Sequence, residues 1–132
     1  MLLRICTMVL ATTVPGFAQT QIQVDAGRGP VTIFVPSSYN SANPSPLLFL
    51  LHGDDATGAE QEAYMLFGPE AEARGVLFAH PTGLVGSFGV TSWNFEPADG
   101  TPLDDSTYLR RLIDTVKGQF NVDPLQVSLV GH

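Results

Sequence analysis

The sequence predicts an α/β domain built on a mostly parallel sheet, and three observations carry that prediction. Residues 47–51, "LLFLL", form an uninterrupted apolar run, as in a strand covered on both faces. Short apolar strands alternate with helix-length segments along the chain, which is the order of βαβ units. Between the last two strands, Tyr108, Leu109, Leu112, Ile113 and Val116 recur at helical spacing and make one apolar stripe.

In chain order, "TQIQVDAG" and "PVTIFVP" read as two short strands joined by the turn Gly27-Arg28-Gly29, a hairpin. "SANPSP" breaks the chain before the apolar run. After the loop "HGDDATG", residues 59–74 read as a helix with Tyr64, Met65 and Phe67 facing inward and a break at Gly68-Pro69; Gly75 closes it as a C-terminal cap. "VLFAH" is a further short strand, and residues 81–102 form a loop rich in Gly, Ser and Pro. Asp104 or Asp105 caps the striped helix. The turn at "VDP" then leads into a last strand carrying Val127, Leu129 and Val130, and ending at Gly131-His132.

Residues 1–18 read as a secretory signal peptide, with Arg4 at its start, an apolar stretch over 5–17 and the small-x-small site Gly16-Phe17-Ala18. The stretch is short for a membrane span, the alternative being a retained anchor. Cleavage leaves residues 19–132 as one domain without a disulfide, because the single cysteine, Cys6, departs with the signal. Without Arg4, five Lys and Arg stand against thirteen Asp and Glu, a formal charge of −8. That charge argues against nucleic acid and anionic membranes as partners, and the signal peptide implies a secreted protein, extracellular or periplasmic.

In parallel sheets, ligands sit at the carboxyl ends of the strands, so the loop "HGDDATG" and whatever follows Gly131-His132 matter most. Gly53 and Gly58 have the G-x-x-x-x-G spacing of a phosphate loop, but Ala59-Glu60 stands where Lys and Ser or Thr are needed, and Asp54 and Asp55 repel phosphate. His52, Asp54, Asp55 and His80 are metal-ligand types at none of the recognised zinc or calcium spacings. Paired loop carboxylates are commonly turn and cap residues. A third reading makes His52-Gly53 the start of an oxyanion loop, in which backbone N–H groups hold the negative oxygen of a tetrahedral intermediate. Glycine allows the sharp turn and close approach this requires. In the α/β-hydrolase architecture the nucleophile is the serine of G-x-S-x-G, on the turn after a later strand; Gly131-His132 supplies its first two residues.

On these residues the chain resembles the secreted polyhydroxybutyrate depolymerase and feruloyl esterase group of α/β-hydrolases. The likeness rests on "PLLFLLHG", "EARGVLFAHPTG", "DDSTYLRRLID" and "NVDPLQVSLVGH", taken in order and with their spacing. It implies the N-terminal part of an eight-stranded hydrolase sheet, about five strands, cut at the nucleophile elbow. It also implies a serine directly after His132, an oxyanion loop at Gly53 and Asp54 with Asp54 as the N–H donor, and a substrate cleft flanked by His52, Trp93 and Asn94. Members of the group often carry cysteine at the position of Asp54 and an aromatic at that of His80; neither change removes a backbone donor.

Triad order in this architecture is serine, acid, histidine, so the resemblance leaves no triad side chain among the 132 residues. His52 is then a loop organiser, His80 a strand-end residue and His132 the variable residue before the nucleophile. The expected whole protein is a serine-type carboxylic ester hydrolase acting on polyester or polysaccharide-linked esters without a cofactor. The 132 residues alone are expected to be inert, and poorly soluble because the last strand leaves an apolar edge. A peptidase or thioesterase of the same fold, or a secreted binding protein on a hydrolase-like sheet, shares every feature quoted except the nucleophile.

Overall fold

Strands β1 (Thr20–Asp25) and β2 (Pro30–Val35) pair antiparallel along their whole length. The turn between them works because Gly27 and Gly29 take φ of 99° and 94°, and the Asp25 carboxylate accepts both of their N–H groups. The computed structural model describes residues 19–86, 88–94 and 104–132. The expected signal sequence lies outside the described residues, as does most of the later half of the 81–102 loop.

Strand β3 (Ser45–Leu51) is central, with β4 (Leu77–Ala79) on one side and β7 (Val122–Gly131) on the other, both parallel to it. The sheet order is β1-β2-β4-β3-β7, with antiparallel pairing confined to the β1 and β2 side. The apolar run in β3 now has its reason. Leu47 and Phe49 point to one face, where Tyr108, Leu109, Leu112 and Val116 of helix α3 (Asp105–Gln119) cover them. Leu48 and Leu50 point to the other, against Ala71 and Phe67 of helix α2 (Phe67–Arg74). Strand β4 divides in the same way, Leu77 and Ala79 toward α3 and Phe78 toward α2. The result is three layers with two apolar clusters, one on each face of the sheet.

The helix expected over 59–74 is two helices, α1 (Gly58–Met65) and α2, and the break falls at Leu66 rather than at Gly68-Pro69. Leu66 takes the left-handed conformation, φ 56° and ψ 43°, and the Glu62 carboxylate accepts the N–H groups of Phe67 and Gly68 that open α2. Pro69 sits in that first turn, where its missing N–H breaks no helical hydrogen bond. The break also changes the inward face. Tyr64 is 78% exposed, Met65 and Phe67 are half-buried, and the buried positions are Gly58, Gln61, Gly68 and Ala71. Gly75, at φ 69°, closes α2 as expected.

The loop over 81–102 contains a small hairpin that the sequence does not announce, β5 (Leu84–Val85) with β6 (Thr91–Ser92). Strand β7 starts before the Asp123-Pro124 turn instead of after it. Its ladder with β3 jumps from Val122 opposite Ser45 to Val127 opposite Leu47, and the Asp123 carboxylate holds the intervening bulge through the Leu125 N–H and the Gln126 amide. Among the described residues β7 has one neighbour, β3, and Leu129 and Leu125 on it are exposed.

Both long connections start at caps. Thr57 and Glu60 form a reciprocal capping box on α1, and the Asp104 carboxylate accepts the Thr107 N–H at the start of α3. Those hydrogen bonds hold the Glu60 and Asp104 carboxyls below the usual carboxylate range. A folded-state pKa below the unfolded one means that the stabilisation is complete above about pH 5 and is lost as pH falls through the carboxylate range. Asp104→Ala is therefore expected to lower the thermal midpoint at pH 7, with the deficit shrinking toward pH 3; an equal deficit at both pH values contradicts the assignment.

Candidate functional site

Because β3 and β7 are parallel neighbours in register, with Leu51 opposite Gly131, they deliver His52-Gly53 and Gly131-His132 to the same end of the sheet. There a cavity of about 350 Å³ is lined by Leu51, His52, Gly53, Asp54, Trp93, Gly131 and His132. Residues about 80 positions apart in the chain thus meet around one hollow. A Cβ on Gly53 would lie 3.4 Å from the His132 carbonyl oxygen and 3.5 Å from its Nδ1; one on Gly131 would lie 3.3 Å from the Leu51 carbonyl oxygen. A side chain at Gly131 would thus be tight against Leu51, while one at Gly53 would touch His132 at ordinary contact distance.

His52 is 1% exposed and both of its ring nitrogens are engaged by backbone. Nε2 accepts the Gly83 N–H at 2.8 Å and Nδ1 lies 2.7 Å from the Gly53 carbonyl oxygen. A carbonyl can only accept and an N–H only donate, so these partners select the neutral ring with its proton on Nδ1. The ring is a brace between two loops, as expected of a loop organiser, and neither nitrogen is open to a metal or a substrate. Trp93 packs its ring against that of His52, 5.0 Å between centroids, and donates its indole N–H to the His52 carbonyl at 2.9 Å. It both anchors its loop and forms a wall of the cavity. Asn94 lines an adjoining hollow that shares Asp54 and Trp93. Its backbone carbonyl accepts the Asp105 N–H at 3.0 Å, and its own N–H is held by the Asp105 carboxylate.

The braced carbonyl sets the next donor. Gly53 C=O and Asp54 N–H belong to one trans peptide, so the bond from His52 to that oxygen turns the Asp54 N–H away from the His52 ring. Among the described residues the Asp54 N–H meets no acceptor, whereas the Gly53 N–H faces Gln61 Oε1 at 3.4 Å and the Asp55 N–H bonds the Thr91 carbonyl at 2.8 Å. The arrangement can therefore offer one fixed backbone donor to an anionic oxygen.

The other two sequence readings of this loop meet physical obstacles. Gly58, the second glycine of the phosphate-loop spacing, packs so close to the end of β4 that a Cβ would lie 1.9 Å from the His80 carbonyl oxygen, and its N–H is taken by Thr82 Oγ1 at 3.0 Å. His80 packs tilted against the rings of Phe34 and Phe78, at 5.2 and 5.9 Å between centroids. Among the described residues no three His, Asp or Glu side chains converge on a point that could hold a metal ion. No helix among them is long and apolar enough to cross a membrane.

Two supports of the site escape sequence reasoning. Arg28, in the hairpin turn, forms a buried ion pair with Asp105 at the start of α3 and lies over the Tyr108 ring, 4.2 Å from its centroid. Burial in turn holds the Tyr108 phenol above its usual range. Asp105 passes the support to Asn94 and hence to the Trp93 loop. The only signals were a cation set between two glycines and a second acid behind the helix cap. Gln61 is the other support, a polar residue on a helix that reads as solvated surface.

Strand order, register and loop placement define the class: this chain is the N-terminal part of an α/β-hydrolase fold. Within that class it is similar to acetylxylan esterases and to a polyhydroxybutyrate depolymerase. The acetyl xylan esterase of Aspergillus awamori superposes on 85% of this chain with a TM-score of 0.65 at 16% identity. A poly(3-hydroxybutyrate) depolymerase of Bordetella parapertussis superposes on 87% with a TM-score of 0.57 at 21% identity. In sequence, a bifunctional acetylxylan esterase/xylanase of Neocallimastix patriciarum is 31% identical over 106 residues, 80% of this chain. The chain spans 14% of that relative and 42% of each of the two structures. No protein-family model matches it.

Proposed function

We propose that this chain forms the front half of a secreted serine-type carboxylic ester hydrolase, with export directed by residues 1–18. The observation that carries the reading is the meeting of β3 and β7 around a cavity that Asp54 lines, where the peptide carrying its N–H is held by His52 and that N–H has no acceptor among the described residues. A serine directly following His132 would stand beside that donor. Its Oγ attacks the ester carbonyl while its proton passes to a histidine later in the chain, which an acid orients. The carbonyl π pair moves to oxygen, and the Asp54 N–H, with the N–H of the residue after the serine, holds the oxyanion. Collapse expels the alkoxide, which takes the proton from the histidine, and water then hydrolyses the acyl-enzyme by the same steps.

Trp93 and Asn94 would flank the acyl group. Candidate substrates are acetyl or feruloyl esters on polysaccharide, polyester chains and short hydroxyalkanoate oligomers. The likeness to an acetylxylan esterase/xylanase in sequence favours the acetyl esters.

The complete reading frame, secreted and purified, is expected to hydrolyse p-nitrophenyl acetate and to release acetate from acetylated xylan, and residues 19–132 alone to do neither. Turnover by residues 19–132 alone, or none by the complete product on any ester of these classes, overturns the reading.

A further inference from the structure

We propose that Gln61 is a positioning residue for the oxyanion loop, an inference that rests on the esterase reading above. Gln61 lies on α1, one turn in, and is 6% exposed. Its Oε1 is the acceptor facing the Gly53 N–H, at 3.4 Å, and His52 Nδ1 holds the Gly53 carbonyl at 2.7 Å. The peptide before the Gly53 Cα is therefore tied to a helix, and the peptide after it to a buried ring. Glycine rotates more freely than any other residue. With only the His52 tie, the peptide that carries the Asp54 N–H can swing about Gly53; with both, its direction is set.

The choice of residue carries the argument further. The Gly53 N–H can only donate, so the oxygen end of the Gln61 amide must face it, and the buried Nε2 is left without a partner among the described residues. An unpartnered buried amide nitrogen destabilises a fold. Methionine would fill the same volume on the same helix without that cost. A glutamine here makes sense for the acceptor it presents to the loop, and poorly as packing. The distance is long for a hydrogen bond, as is common where a catalytic arrangement tightens only on a bound transition state.

The test is Gln61→Met in the complete protein. Its thermal midpoint is expected to stay close to that of the wild type, because relief of the unpartnered Nε2 offsets the loss of the acceptor for the Gly53 N–H. At the same time kcat toward p-nitrophenyl acetate should fall by ~10- to 100-fold with KM changed by less than about 2-fold, the signature of a misplaced transition-state contact. A small alkyl or aryl boronic acid, which forms a tetrahedral anion with the nucleophilic serine, should weaken by the same factor as kcat/KM. Amide hydrogen exchange gives a readout independent of turnover: the Gly53 N–H is protected in the wild type and loses that protection in the variant. A variant with wild-type kcat, or a Gly53 N–H that exchanges freely in the wild type, overturns the inference. Wild-type protein that protects Gly53 yet hydrolyses no ester leaves the loop tie standing and overturns the esterase reading instead.

Discussion

Gly58→Ala is expected to destabilise the fold by more than ~3 kcal/mol, beyond the usual range for a single added methyl group. The added Cβ would meet the His80 carbonyl oxygen at 1.9 Å, its carbon at 2.6 Å and the Pro81 carbonyl oxygen at 2.8 Å, all of them backbone atoms. No side chain is available to swing aside, so α1 or the end of β4 must move. Alanine is the better helix former, and on propensity alone the change should stabilise α1; the clash decides the sign. Displacing the start of α1 also breaks the bond from the Gly58 N–H to Thr82 and disturbs the loop between His52 and Thr57. Urea unfolding of wild-type and variant protein measures the effect, and a variant within ~1 kcal/mol of wild type shows that the two segments are not in contact as described.

Arg28→Met is expected to cost ~3–5 kcal/mol, because it leaves the Asp105 carboxylate buried without its cation. The side chains of the pair are 6% and 3% exposed, so solvent screens little of their interaction. The methionine also gives up the guanidinium's place over the Tyr108 ring, so the loss combines the ion pair with that cation–π contact. Adding Asp105→Asn removes the stranded charge and keeps an oxygen for the Asn94 N–H, and is expected to recover a clear part of the loss. A double variant as unstable as the sum of the two singles shows that the residues are not coupled. The loop bearing Trp93 and Asn94 depends on the same carboxylate, so the single variant should also loosen one wall of the cavity.

How far the sequence foretold this molecule depended on the range of each interaction. The apolar run of β3, the stripe of α3 and the Gly75 cap are local patterns, and each lies where the residues indicate. The break at Leu66 is not local. A leucine is unfavourable in the left-handed region, and it is held there because Glu62 reaches forward to cap the next helix. The bulge in β7 was legible as a turn at Asp123-Pro124 but not as part of a strand, since Val122 pairs with Ser45 on the far side of it. Strands β5 and β6 are two residues each, too short to leave a periodic trace.

The site divides in the same way. His52, Gly53 and Asp54 could be nominated because they come just after the apolar strand β3, and Gly131 and His132 because they close the apolar strand β7; the sheet brings those two ends together. Trp93 joins them through a bond to the His52 carbonyl that no spacing could show, and Asn94 stands one hollow away. Arg28 and Asp105 lie 77 residues apart and are joined only by the packing of the hairpin turn on α3. Gln61 was hidden because an amide on a short helix is ordinarily solvated.

A fluorophosphonate probe with peptide mapping by mass spectrometry tests the central claim most directly. It forms a covalent bond with a serine activated by a base and an oxyanion site. Applied to the product of the complete reading frame, it is predicted to label a single serine, the residue directly following His132, and to lose that labelling when the serine is replaced by alanine. Labelling of any other residue, or none in a folded protein, contradicts the account of Gly131-His132 as the start of a nucleophile elbow facing the Asp54 N–H.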